Sequence, residues 1–238
     1  MNTQRLVLLV AAVALLAGCE SRSISNSGYN HGYGQGPWGY HGELSEFEVV
    51  GVSDTTNVSD DQIAAALKIK PVVRLDRTSR VLLIQSGADF PDQPMQASLE
   101  ASFAVAPFSG RPPRNPEPGV SYSKSLRLAA ARGGYDKIIC YWGVLESEKK
   151  SEATKGISWV PIVGYAIPDE TESMRIRLKA VLIDTATGNW VMIQPEPVGD
   201  RQASAIFTRE RNDQELVERL KELGYQSLAN LIRRDFTG

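Results

Sequence analysis

The chain has 238 residues, of which 42% are hydrophobic and 23% charged, with a formal net charge of -2. This is the composition of an ordinary globular protein, long enough for one domain with a sizeable core. Lys and Arg are interleaved with Asp and Glu, so there is no basic stripe and nucleic acid is not an expected partner.

The N-terminus carries the strongest signal. A cationic start at Arg5 precedes an apolar run from Leu6 to Leu16, and Ala17 and Gly18 then lead into Cys19. Charge, apolar core and small-residue cleavage site in that order make a secretory signal peptide. The run is shorter than the roughly 20 residues a spanning helix needs. Leu16-Ala17-Gly18-Cys19 closely resembles the lipobox of bacterial lipoproteins. The resemblance implies a diacylglyceryl group on Cys19, cleavage before it, and acylation of the new N-terminus. It divides the chain into a signal peptide over 1–18, a lipidated Cys19 with a tether to residue 42, and a domain over 43–238. Glu20 rather than aspartate after the cysteine favours the outer membrane, facing the periplasm.

Residues 20–42 are rich in Ser, Gly, Asn and Tyr. So many glycines cost too much entropy to order without a buried core to compensate, so a flexible tether is expected. As a Gly-rich coil it would reach about 25–30 Å. Ser59 and Gln62 are spaced as a capping box, predicting a helix to about Ile69 that stops before Pro71. Arg80 to Gln85 is a short continuous apolar run and reads as a central strand. Gln93 to about Phe103 reads as helix. The proline-rich Gly110 to Gly119 is a loop.

Ser121 to Arg132 is rich in Leu and Ala and closes on Gly133-Gly134, which predicts a capped helix. Asp136 to Leu145 follows as a second central strand, and helix before strand at this spacing argues for a parallel crossover. Glu146 to Lys155 reads as a polar loop. From Ser173 to Asp184 the residues Met174, Ile176, Leu178, Ala180 and Leu182 alternate, marking one buried face. Thr185 to Gly188 turns the chain into Asn189 to Gln194, an antiparallel hairpin. A last helix spans about Asp213 to Arg234, with Leu216, Leu220, Leu223, Leu228 and Leu231 on one side and a break or bend expected at Gly224. The fold class expected is a single α/β domain whose mixed sheet has central parallel strands and a C-terminal antiparallel hairpin, flanked by helices.

This element order resembles the periplasmic α/β domains of the CsgG/LpoB and TolB N-terminal type. A second resemblance is local. Ile157-Ser158-Trp159-Val160-Pro161-Ile162-Val163-Gly164-Tyr165-Ala166-Ile167-Pro168, followed by Leu182 to Trp190 and Gln194-Pro195-Glu196-Pro197, is similar to a region of rhombotarget-type bacterial lipoproteins. These resemblances imply an envelope location and an α/β fold. They imply no particular reaction, because fold alone does not fix activity.

The chemistry-bearing residues are sparse. The only histidines, His31 and His41, lie in the tether. The domain therefore cannot hold a Ser-His-Asp triad, a Cys-His pair or a His-based zinc site. No P-loop, GxGxxG, GxSxG or HExxH occurs. No cofactor is expected. Cys140 has no partner if Cys19 carries lipid, and its apolar surroundings predict an inert packed thiol. Glu146, Glu148, Asp169, Glu170 and Glu172, beside Lys149 and Lys150, could serve a glycosidase only if two faced each other across a cleft. Ser121, Ser123, Lys124 and Ser125 allow a Ser-Lys hydrolase, although serine opening a helix is ordinarily a cap. In the tether, His31 and His41 with Tyr29, Tyr33, Trp38 and Tyr40 are weak candidates for a metal such as Cu(II) or for stacking on cell-wall sugars.

The segment Ile157 to Ile167 is the leading candidate for interaction, through Trp159, Val160, Ile162, Val163 and Tyr165. Two readings are open: a buried strand completing the sheet, or an exposed apolar loop meeting membrane or partner. The function expected is a non-catalytic envelope lipoprotein, attached to the membrane by lipid, that presents its domain to an envelope protein. The alternatives are a lipid-anchored hydrolase and metal or glycan capture by the tether.

Overall fold

The computed structural model describes residues 20–27, 40, 42–52, 58–68, 73–112, 120–150, 171–199 and 213–237. Among them the chain forms a seven-stranded mixed sheet with helices on both faces. The strands are β1 (Glu20–Ser23), β2 (Arg80–Gln85), β3 (Ala104–Phe108), β4 (Lys137–Lys150), β5 (Thr171–Asp184), β6 (Trp190–Ile193) and β7 (Val198–Gly199). The helices are α1 (Glu46–Val50), α2 (Asp60–Lys68), α3 (Gln93–Glu100), α4 (Tyr122–Arg132) and α5 (Asp213–Phe236). The main path runs β3-β2-β4-β5-β6, with β1 paired to β4 and β7 to β5. Pairing is parallel from β3 to β2 to β4 and antiparallel from β4 to β5 to β6. The fold is thus the single α/β domain with a mixed sheet that the element order predicts.

Local chemistry starts and stops the helices where the sequence signals stand. The Ser59 amide donates to Gln62 Oε1 at 2.9 Å and the Gln62 amide to Ser59 Oγ at 3.3 Å, a reciprocal capping box before α2. Ser121 Oγ accepts from the Lys124 amide at the start of α4. Gly134, at φ +76°, takes the left-handed turn beyond its end. Helix α2 buries none of its residues, so it adds nothing to the core.

Five elements correct the expectations. The tether does not extend over residues 20–27. Glu20 to Ser23 pairs with Ser147 to Val144, and a 3-10 turn over Ile24–Asn26 then buries Ile24 to 1% exposure. An aliphatic side chain there supplies the burial that glycine and serine lack. Second, β4 continues through Glu146 to Lys150 instead of ending in a polar loop, because β5 begins at Thr171 and pairs with it to the end. Opposite charges face each other on that arm where Glu146 stands against Arg175. Third, Ala104–Phe108 forms β3 on the sheet's edge beside β2, the kind of position where a proline such as Pro107 is tolerated. Fourth, α3 ends at Glu100, short of Phe103.

Fifth, α5 runs unbroken through Gly224. A Cβ there would sit 3.0 Å from Leu178 Cδ1 and 3.1 Å from Ile176 Cγ2, so glycine is the residue that lets the helix lie close on β5. The buried stripe of α5 is Val217, Leu220, Tyr225, Leu228, Ala229 and Ile232, while Leu216, Leu223 and Leu231 are only partly buried.

Two cores result, one on each face of the sheet. The first joins Leu83, Ile139, Tyr141, Ile176, Leu178 and Leu182 to α3 and α5. The second joins Leu82, Ile84, Ile138, Cys140, Trp142, Val181 and Ile183 to Leu44, Val49 of α1 and Leu126, Ala130 of α4. Along β5 the predicted alternation holds from Met174 to Ala180; from Val181 to Ile183 both faces are buried.

Candidate functional site

The second face of the sheet is covered over only part of its length. Helices α1 and α4 seal it around Ile138, Cys140 and Val181. Beyond Trp142 the same face of β4 and β5 carries Val144, Glu146, Lys179, Arg177 and Arg175, as the register dictates. There a groove of about 680 Å³ opens, with β1 and α1 as walls and β4, β5 and β6 as floor. Its apolar residues reach solvent: Phe47 is 58% exposed, Val52 44%, Trp190 40% and Val144 36%. Single exposed hydrophobics are ordinary on a protein surface, but several converging on one groove are not.

Polar contacts fix the walls. The Trp142 indole N–H donates to the Leu44 carbonyl at 2.9 Å, and the Leu44 amide donates to Ser86 Oγ at 2.7 Å. Together they hold the chain leading into α1 flat on the sheet. Glu43 Oε1 accepts from Ser23 Oγ, joining β1 to that chain, and from Tyr40 Oη at 3.3 Å. Glu43 Oε2 is buried with no hydrogen-bond partner among the described residues. Burial, followed by the neighbouring Glu43 charge, pushes the Tyr40 phenol above its ordinary pKa. Lys179 pairs with Glu46 and stands 6.0 Å from the centre of the Trp142 ring. Arg175 pairs with Glu146, and Arg177 lies 3.2 Å from the same carboxylate. The groove is therefore apolar within, and the cations at its rim, Arg175, Arg177 and Lys179, are held by the carboxylates of Glu146 and Glu46.

A second polar cluster lies on the opposite face, inside the core. Tyr141 Oη donates to Gln85 Oε1, and Gln85 Nε2 donates to Ser25 Oγ at 3.0 Å. The Asp92 amide donates to Gln85 Oε1 at 2.7 Å, and Asp92 Oδ2 accepts from Tyr225 Oη at 2.5 Å and Lys221 Nζ at 3.0 Å. Burial, reinforced by the Asp92 charge, pushes both phenols well up, so they act as hydrogen-bond donors. Every polar side chain in this chain of contacts has a partner, and together they tie the 3-10 turn, β2, β4, α3 and α5 together.

Of the sequence candidates, Leu16, Ala17, Gly18 and Cys19 lie outside the described residues, as do His31, His41, Trp159, Val160, Ile162, Val163 and Tyr165. Asp169 and Glu170 also lie outside them. Glu146 is engaged by the two arginines. Ser121 serves as the cap of α4, and Ser123 packs beneath Gly51, its Cβ 3.3 Å from where a Gly51 side chain would begin. Cys140 is buried, and that burial, followed by the charges of Glu43 and Glu46, raises its thiol pKa well above the ordinary value. No group of three or more His, Cys, Asp or Glu that could hold a metal occurs among the described residues. The groove escapes sequence reading because its residues come from separate stretches of chain and share no motif. The one available signal is Val144, an apolar residue on the face that turns polar at Glu146.

A family model described as YafT bacterial lipoprotein matches residues 45–235. The chain belongs to this family. The match spans α1 to α5 and so includes most of the groove, with β1 and the 3-10 turn preceding it. Membership in a lipoprotein family supports an envelope protein associated with a membrane through a lipid anchor. No helix among the described residues is long and apolar enough to cross a membrane. A comparison with curated proteins finds no match.

Proposed function

We propose that this protein is a non-catalytic lipoprotein of the outer membrane, facing the periplasm, acylated at Cys19, that works by presenting its α/β domain for interaction. The observation that carries this reading is the position of β1: its first residue, Glu20, is already paired in the sheet. The acyl anchor is then one peptide unit, about 3.8 Å, from the folded domain. A domain fixed so closely to its anchor is held in a defined orientation, which suits a presenting role. Ser121 caps α4, Glu146 is paired with Arg175 and Arg177, and Cys140 is buried, while the groove is lined for apolar contact. The likeness of residues 157–168 and 182–197 to rhombotarget-type lipoproteins, and of the element order to CsgG/LpoB and TolB N-terminal domains, fits the same reading.

Two measurements test it together. Cells fed an alkyne fatty acid should label the wild-type chain and not Cys19→Ala, with the corresponding mass loss in the purified N-terminal peptide. Retained acylation in Cys19→Ala overturns the anchor. Turnover of a cell-wall or peptide substrate by the purified protein, abolished by Glu146→Gln, overturns the non-catalytic reading.

A further inference from the structure

We infer that the groove between β1 and α1 is seated on the surface of the bilayer that holds the anchor, so that the half-open face of the sheet lies against lipid. The inference rests on the acyl anchor at Cys19 proposed above. Three observations converge on it.

The first is proximity. Residues Ser21 to Ser23 of β1 form one wall of the groove. They stand within a few residues of Cys19, and an extended strand rises only about 3.3 Å per residue. The groove therefore cannot be far from the headgroups. From β1 across β4 and β5 to β6 is three strand spacings, roughly 14 Å at about 4.8 Å each. An anchor at one edge leaves that whole width free to lie flat.

The second is chemistry. Phe47, Val52, Val144 and Trp190 project from this face into solvent. Aromatic side chains with aliphatic neighbours are the groups that settle at a membrane–water boundary, where the indole keeps its polar edge wet. The long side chains of Arg175, Arg177 and Lys179 stand on the same face and can extend toward phosphates while their stems cover apolar surface.

The third is charge. Arg175 and Arg177 are paired with Glu146, and Lys179 with Glu46. Three cations held by two carboxylates leave little net charge and do not make a polybasic patch, so contact rests mainly on apolar seating and depends little on anionic lipid or salt. That distinguishes it from electrostatic adsorption.

The test uses the full-length acylated protein in phosphatidylethanolamine–phosphatidylglycerol vesicles. An environment-sensitive nitrobenzoxadiazole label is placed by Phe47→Cys or Val144→Cys, with Ala97→Cys on α3 as a control on the opposite side of the sheet. Cys140, buried in the second core, does not take up the label. All three labelled sites are solvent-exposed, and mass spectrometry of the same samples confirms Cys19 acylation, so failure of the anchor is seen separately. Lipids carrying a doxyl quencher near the headgroup should quench the labels at 47 and 144 several-fold more than the label at 97. The difference should persist in phosphatidylcholine vesicles and at high salt. Equal quenching at all three sites in acylated protein overturns the inference. So does quenching that requires anionic lipid, or shielding of 47 and 144 by a crosslinked protein instead of lipid.

Discussion

The two faces of the sheet are made from the same strands and finished differently. On the first face α3 and α5 cover the sheet from Leu83 to Met174, and Tyr225, Leu228 and Ile232 are wholly buried. On the second face α1 and α4 stop short, and Val144, Arg175 and Arg177 meet solvent. The alternation along β5 records the difference directly: Met174, Ile176 and Leu178 are buried while Arg175 and Arg177 between them are exposed. Burial of apolar area is the main stabilising term, and surface positions away from special features ordinarily change stability little. The covered parts of both faces therefore carry stability, and the stretch of the second face beyond Trp142 is left free for contact.

The sharpest way to break that contrast is a pair of truncations. Leu228→Ala removes a side chain with no exposed surface from the first core and leaves a cavity that a rigid helix on a sheet closes poorly. It should lower unfolding stability by about 3–5 kcal/mol. Phe47→Ala on the rim of the groove should change it by less than about 0.5 kcal/mol. Urea titrations of both, compared at constant slope, check the pair. Similar losses would mean that the groove residues are part of the core after all.

A second, smaller effect concerns how β1 is held. Ile24 packs onto β4 above Gly143, where a Cβ would come within 2.8 Å of Ile24 Cγ2 and 2.6 Å of Leu178 Cδ2. The absence of a side chain at 143 is what lets the 3-10 turn plug into the first core. Ile24→Ala should cost about 2–3 kcal/mol. The loss should fall first on the local unit, since terminal segments open before the core. Hydrogen exchange would then rise in residues 20–27 and 144–147 while α5 stays protected. Uniform acceleration throughout would show that β1 is integral to global folding instead of being a separately released strap.

Ile24 also marks where the sequence was legible and where it was not. Wherever one local signal dominates, the reading was close. The capping box at Ser59, the glycines after Arg132, the apolar run of β2 and the alternation from Met174 each depend on neighbours in sequence, and each element lies where expected. Apart from the end of α3, the failures are tertiary. Glu20 to Ser23 has no strand composition, and it is a strand because β4 offers an open edge beyond the end of β2. Lys149 and Lys150 read as loop until β5 supplies Thr171 and Glu172 opposite them. Gly224 is a helix breaker by propensity, overruled by close packing on Ile176 and Leu178. The groove was invisible for the same reason. Phe47, Val144 and Trp190 become neighbours only through the order of the strands and the way α1 leans on them.

A third, smaller loss probes the closed end of the β4–β5 pair, as a counterpart to the exposed Arg175–Glu146 pair at its open end. Lys137 lies opposite Asp184 in the register, and its Nζ is 3.2 Å from Asp184 Oδ2. Burial works against ionising Asp184, but the Thr187 amide and hydroxyl, each 2.8 Å away, and the Lys137 charge outweigh it and hold the carboxyl below its ordinary pKa. An unfolded aspartate titrates near about 3.9. The folded state therefore favours the ionised form, and its contribution is complete above that pH and lost as pH falls through the depressed folded value. Asp184→Asn keeps an acceptor for Thr187 and removes the charge. Because the site is partly exposed, the loss at neutral pH should be under about 1 kcal/mol. The gap in Tm between wild type and Asp184→Asn should then shrink steadily as pH drops below about 4. Asp136 also pairs with Lys137, at 3.0 Å, so Asp136→Asn should lower stability less than Asp184→Asn does, its carboxylate being the more exposed of the two. A gap that stays constant through acid pH would show that the Thr187 turn stabilises this end through geometry alone, without the charge.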